Sequence, residues 1–241
     1  WLGKITGRLG LENAEVFHAA ISGLGLLGAF VRIRLQMKRV DSGVLRVRAS
    51  SASSMEGMFE SFEQRLPNAD YLVGWVDCTA GGRGLGRGGI HEANYVPREE
   101  DPVGPRSVQL DRQGLPTSVL GVPKQWLPLF ARPFVNNLGI RLINAGKYHL
   151  SRIRDRDRPF YQSHVSFAFL LDYIPGWESA YGREGLIQFQ VFAPTAVAPR
   201  VFRQVIERSR SRGLPSYLGV MKRQLITRKM EKLKREMARG A

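Results

Sequence analysis

Cysteine is almost missing from this chain. Cys78 is the only one among 241 residues. That excludes an intrachain disulfide framework and a cysteine-rich zinc site. It fits a reducing compartment, and the cytoplasm is the expected location. Histidine is as sparse: His18, His91, His149 and His164 stand singly, without ligand spacing, so no metal is expected. Long hydrophobic runs are missing too. The longest, AAISGLGLLGAFV over 19–31, has 13 residues, too few to span a bilayer. No signal peptide is visible. The chain opens on Trp1 rather than Met, which points to an excised part of a longer protein. Acidic residues are also scarce: 21 Asp and Glu face 36 Lys and Arg, leaving a net charge of +15. Such a balance suggests a polyanion, an anionic membrane surface or an anionic substrate as partner.

What is present begins with 43% hydrophobic residues, enough for a packed core. Asn13 can cap a short helix over 14–21, with Glu15 in its first turn. Gly23, Gly25 and Gly28 end it. From Ala29 onward Phe30, Arg32 and Arg34 alternate with Val31, Ile33 and Leu35, which predicts a strand with one apolar face. A second alternating run follows at 43–50. Met55, Met58, Phe59 and Phe62 have helical spacing within 53–66. ADYLVGWVDCTA (69–80) predicts a buried strand, and GGRGLGRGG (81–89) a glycine-rich connection. Residues 97–125 are rich in proline, glycine and charge and predict a long surface loop, with helix around 133–148. Strands are predicted at 163–174 and 185–193. A helix over 193–213 turns Val201, Val205 and Ile206 inward and stops at Gly213; PSYLGVMKR predicts a last strand. The order of elements indicates an α+β fold, a largely antiparallel sheet with helices packed on one face.

The segment 222–241 differs in character. Eight Lys/Arg against two Glu give it a net +6. Ile226, Met230, Leu233 and Met237 form an apolar stripe along this basic helix. Over 224–239 the stripe can dock on the protein's own core or lie on an anionic membrane surface. No aromatic residues are interleaved with the basic ones, and no specific nucleic-acid partner is expected.

Two stretches raise chemical questions. In GLIQFQVFAP (185–194) Ile187, Phe189 and Val191 point one way, while Gln188 and Gln190 share the other face with Leu186 and Phe192. The two amides can face water or line the floor of a pocket. GLGLLG (23–28) has the glycine content of a dinucleotide fingerprint. That motif, however, runs strand, glycines, helix, and here the order is helix, glycines, strand. A tight turn is the simpler account.

FHAAISGLGLLGAFVRIRLQMKRV resembles the end of the flavin-binding domain in vanillyl-alcohol-oxidase-type FAD enzymes, with Ser22 where that family commonly has a glycine. YLVGWVDCTAGGRGLGRGGIHEANY (71–95), LDYIPGWESAYGREGLIQFQVFAPTAVAPRVF (171–202) and YLGVMKR (217–223) resemble the substrate-binding half of its decaprenylphosphoryl-ribose 2′-oxidase branch. The resemblance covers most of 11–223 and is weakest at 97–160. It implies a division into 1–48, the end of an FAD-binding domain, 49–223, a substrate-binding domain, and 224–241, the basic helical tail.

The resemblance also implies roles. Backbone around Gly23, Gly25, Gly28, Ala29 and Phe30 would pass close to the flavin ring of FAD, where a missing Cβ permits close approach. Trp75, Gln188 and Gln190 would bind substrate, and Gln188, Gln190 and Lys222 would serve catalysis. The implied substrate is a small-molecule or lipid-linked sugar, oxidised at a C–H or CH–OH group by hydride transfer to flavin. A family active-site tyrosine falls on Ala168, so the substrate itself does not carry over. Trp75 in an apolar strand could equally be core, and Lys222 could be the first residue of the basic tail. The resemblance further implies that the FAD pyrophosphate subdomain and later sheet elements are absent, so FAD would bind weakly or not at all. The rival reading is a non-enzymatic basic module on an anionic membrane or other polyanion.

Overall fold

A computed structural model describes residues 14–21, 23, 25–34, 39–119, 121–154, 158–169, 174–183 and 185–222. The chain divides into two compact units, Trp1–Arg39 and Val40–Ala241.

In the first unit, α1 (Ala14–Ile21) carries Glu15 in its first turn, where the helix dipole favours a carboxylate. Asn13, its expected cap, lies outside the described residues. The chain then turns: the Leu26 amide donates to the Gly23 carbonyl at 2.8 Å and the Gly28 amide to Gly25 at 3.3 Å. Gly25 and Gly28 have φ of 81° and 132°, values that a side chain would strain. The strand expected from Ala29 does not form over 29–34, and Val31 and Ile33 are exposed. A strand obtains its hydrogen bonds from a neighbour, and the described residues of this unit include no other strand.

The second unit is an α+β fold built on a five-stranded antiparallel sheet in the order β6-β1-β3-β2-β7. Its strands are β1 (Val44–Ala52), β2 (Tyr71–Val76), β3 (Gly88–Tyr95), β6 (Phe160–Ser163) and β7 (Gly219–Lys222). β1 runs through the boundary expected at 48/49 and pairs on both sides, with β3 and β6. It therefore belongs wholly to this unit. A two-residue pair, β4 (Ser118–Val119) and β5 (Val122–Pro123), decorates the long 97–125 segment. The helices are α2 (Met55–Arg65), α3 (Leu127–Ala131), α4 (Asn137–Arg154), α5 (His164–Ala168) and α6 (Ala198–Ser211).

α2 starts where Ser54 accepts the Gly57 amide at 3.2 Å, a side-chain cap that satisfies one of the free amides of the first turn. Its Met55, Met58 and Phe62 are buried, as their spacing predicts. They pack with Ala52, Leu72, Val76, Ile90 and Met221 of the sheet and Ile206 of α6 into the main core. Burying one such side chain contributes about 1.5–3 kcal/mol. The sheet approaches α2 closely: a Cβ on Gly74 would stand 3.0 Å from Phe62 and 3.1 Å from Met58. α2 and α6 thus cover one face of the sheet. Gly213 ends α6 with φ of 72°.

Two predicted strands are replaced. At 163–174, β6 ends at Ser163, whose hydroxyl accepts the Ser166 amide at 3.2 Å and opens α5. At 185–193 the chain has no regular structure, and Ile187 is 94% exposed, with Phe189 exposed as well. Alternation assigns faces only where a neighbouring ladder fixes them, and this segment pairs with no described strand. Conversely, β3, the centre of the sheet, starts inside the expected glycine-rich connection. The 224–239 helix lies outside the described residues.

Candidate functional site

The two faces of the sheet differ in chemistry. Leu72, Gly74 and Val76 of β2 are buried against α2, whereas Tyr71, Val73 and Trp75, alternating with them, are half-buried on the opposite face. Register extends that face across the sheet. Ala49, His91, Val73 and Lys222 form one transverse row, and Ser51, Gly89, Trp75 and Val220 the next. Lys222 and Trp75 are therefore diagonal neighbours on one face; such positions lie about 7–8 Å apart. Lys222 and Val220 are exposed, while Met221 between them is buried. Gly89, opposite Trp75, presents no side chain, and the place a Cβ would occupy has only one backbone atom near it, the Ser50 carbonyl oxygen at 3.8 Å. Among the described residues the middle of this face is only partly covered: Ala49, Ser51, Val73, Trp75 and Gly89 are half-buried.

Its two ends are built up. At one, the Tyr71 hydroxyl lies 2.6 Å from that of Tyr95 and 3.1 Å from His164 Nε2. Phe167 of α5 packs beside Tyr71, and Leu45, Val47 and Ala93 complete a second core. At the other end stands Asp77, fully buried. Its Oδ1 accepts the Thr79 hydroxyl at 2.6 Å, the Thr79 amide at 3.0 Å and Asn144 Nδ2 of α4 at 3.4 Å. Its Oδ2 accepts Arg87 Nε at 3.0 Å. Arg87 in turn lies over the Tyr148 ring, 4.7 Å from its centroid.

α4 closes part of this face. Its Lys147 ammonium sits 4.0 Å from the Trp75 ring centroid, a cation–π arrangement. Loss of water at that end holds the Lys147 pKa below the ordinary lysine value, although the residue as a whole is exposed.

The expected site residues separate into three groups. Trp75 and Lys222 come together on this partly covered face. Gln188 and Gln190 are exposed on an irregular segment, and neither amide has a hydrogen-bond partner among the described residues. Their expected placement on a strand facing a cleft is not met, because the strand does not form. Gly23, Gly25, Gly28, Ala29 and Phe30 belong to the first unit; among the described residues nothing lies within 4 Å of a Cβ position on Gly25 or Gly28, and Phe30 is exposed.

Sequence reasoning missed Asp77, Arg87, Lys147 and the Tyr71–Tyr95–His164 group. Asp77 had a local signal: Asp-x-Thr after a strand makes an Asx turn, in which the carboxylate accepts the amide two residues on. The others are joined by contacts between segments distant in sequence. Cys78 behaves as the small buried residue expected of it, its thiol pushed up to about 12 by burial first and the Asp77 charge second. Among the described residues, no group of three or more His, Cys, Asp or Glu could hold a metal ion, and no helix is long and apolar enough to cross a membrane. No protein-family model matches the chain.

Proposed function

We propose that the partly covered face around Trp75 is the substrate side of an FAD-linked oxidoreductase acting on a C–H or CH–OH group of a sugar-like or lipid-linked substrate. The observation that carries this reading is the diagonal pairing of Trp75 with Lys222 on a half-open face. An indole offers a flat apolar surface to a sugar ring, here on the part of the ring that Lys147 does not cover. A neighbouring ammonium can hold a hydroxyl oxygen at the ring's edge and stabilise charge developing on it. Lys147 adds a second cation at the same tryptophan. Through the resemblance alone, backbone at Gly25–Phe30 would meet the ring of FAD, which when bound supplies the hydride acceptor. Gln188 and Gln190 belong to this reading through the resemblance alone.

A ring-only probe tests the cofactor half. Riboflavin and FAD are titrated with the full chain while flavin fluorescence is followed. Weak, saturable quenching that is lost in Gly28→Val is the expected result. Unchanged riboflavin fluorescence, which needs no pyrophosphate site, would sink the oxidoreductase reading and favour the rival, a basic module on anionic membranes or another polyanion. The +15 charge supports that rival.

A further inference from the structure

A different part of the second unit points to an anion site. Beyond the end of β2, Thr79, Asn137, Leu138, Arg141, Arg210 and their neighbours line an open cleft of about 320 Å³. Arg141 projects from the second turn of α4 and Arg210 from the last turn of α6. Neither guanidinium has an acidic partner among the described residues, and no carboxylate lines the cleft. Asp77, hydrogen-bonded to the Thr79 hydroxyl below, is already engaged by Arg87.

The walls are fixed to one another. Asn137 Nδ2 donates to the Gly213 carbonyl at 2.8 Å, and the Tyr217 hydroxyl donates to Asn137 Oδ1 at 3.0 Å. The Arg210 guanidinium meets Gly81 edge-on, both terminal nitrogens nearer than Cζ, which is 2.7 Å from where a Cβ would stand. A side chain there would displace it. The 18-residue helix α4 also begins at the cleft, bringing the positive end of its dipole. Two guanidinium groups without acidic partners among the described residues and a helix start, all at one cleft whose walls are cross-linked, favour an oxyanion there.

We propose that this cleft binds a phosphoryl group, as a soluble phosphate ester or a phospholipid headgroup. This goes beyond the flavoenzyme reading and does not depend on it.

The test titrates inorganic phosphate into the full chain by calorimetry at constant ionic strength. Saturable binding is expected, weakened about tenfold or more in Arg141→Gln and again in Arg210→Gln, since each removes a charge-assisted contact. The pair Arg106→Gln/Arg152→Gln makes the same change in net charge elsewhere and should leave binding intact. Circular dichroism confirms folding, and Arg210→Lys keeps the charge while losing the fork. Phosphatidylglycerol vesicles identify the source. Co-sedimentation lost in the double cleft variant supports the cleft with a headgroup as ligand; saturable phosphate binding without that loss supports it with a soluble ester. Absent saturation in the wild-type chain, or equal weakening by the control pair, would overturn the proposal.

Discussion

The Asp77 carboxylate, fully buried, receives the Arg87 guanidinium at 3.0 Å, while Arg87 keeps 19% of its side chain exposed. The pair fastens the end of β2 to the start of β3, and through Asn144 it also holds α4. Removing one partner strands the other in a poorly hydrated place. Asp77→Ala is expected to cost about 3–5 kcal/mol, read as a lower urea midpoint. Asp77→Asn keeps the shape and should cost less. Equal stability of Asp77→Ala and wild type would refute the arrangement.

Asp101 makes the chain acid-sensitive. Burial pushes its pKa up, but the hydroxyls of Ser107 and Ser42 and the amides of Val103 and Gly104 outweigh this and hold it below the ordinary aspartate value. The Val103 and Gly104 amides donate at 2.8 and 3.1 Å. A depressed folded pKa contributes stability that is present above the unfolded pKa, about 4, and is lost as pH falls through the folded value. Glu56, lowered mainly by its hydrogen bond from Arg203, acts in the same direction. Thermal midpoints should hold steady above about pH 5 and fall below it. Asp101→Asn should flatten part of that fall.

Cys78 should resist modification while the protein is folded. Its thiol titrates near 12 and is buried, so little thiolate is present at pH 8. Iodoacetamide should label it rapidly only in denaturant. Fast labelling of the native chain would contradict the packing of Cys78 under Gly219.

Two glycines of the sheet should differ when changed to alanine. At Gly74 the new methyl meets the flexible ends of Phe62 and Met58 at 3.0 and 3.1 Å; overpacking of that kind costs about 1–3 kcal/mol. At Gly88 the methyl meets the Trp75 backbone carbonyl, which cannot move without breaking the β2–β3 ladder. Gly88→Ala should therefore be the more damaging, measured by chemical denaturation of both variants.

Much of the architecture is legible in the sequence, and the exceptions share a cause. α2 and α6 show in their apolar spacing because each buries one stripe against the sheet. β3 is hidden because polar residues occupy its helix-side face at one end: Glu92 is paired with Arg65 at 3.1 Å, and Asn94 accepts the Asp70 amide at 2.9 Å. Those partners lie some twenty residues or more away, and no local pattern announces them. Residues 29–34 and 185–193 fail in the opposite sense: their alternation is clear, but no neighbour among the described residues completes the ladder. At the candidate site Trp75 and Lys222 could be singled out, whereas Lys147 reaches Trp75 from a helix in another part of the chain.

The strand order carries a consequence for the sequence of events in folding. β1, β2 and β3 follow one another within 44–95 with α2 between them, while β6 and β7 arrive from 160–163 and 219–222. Long loops must close before those outer pairings are rewarded. We predict that the 44–95 segment forms the nucleus and that both rims dock afterwards. Lys222 would then reach Trp75 only in the last step. Pulse-labelling hydrogen exchange during refolding should protect amides of β2 and β3 before those of β7, and simultaneous protection of all five strands would refute that order.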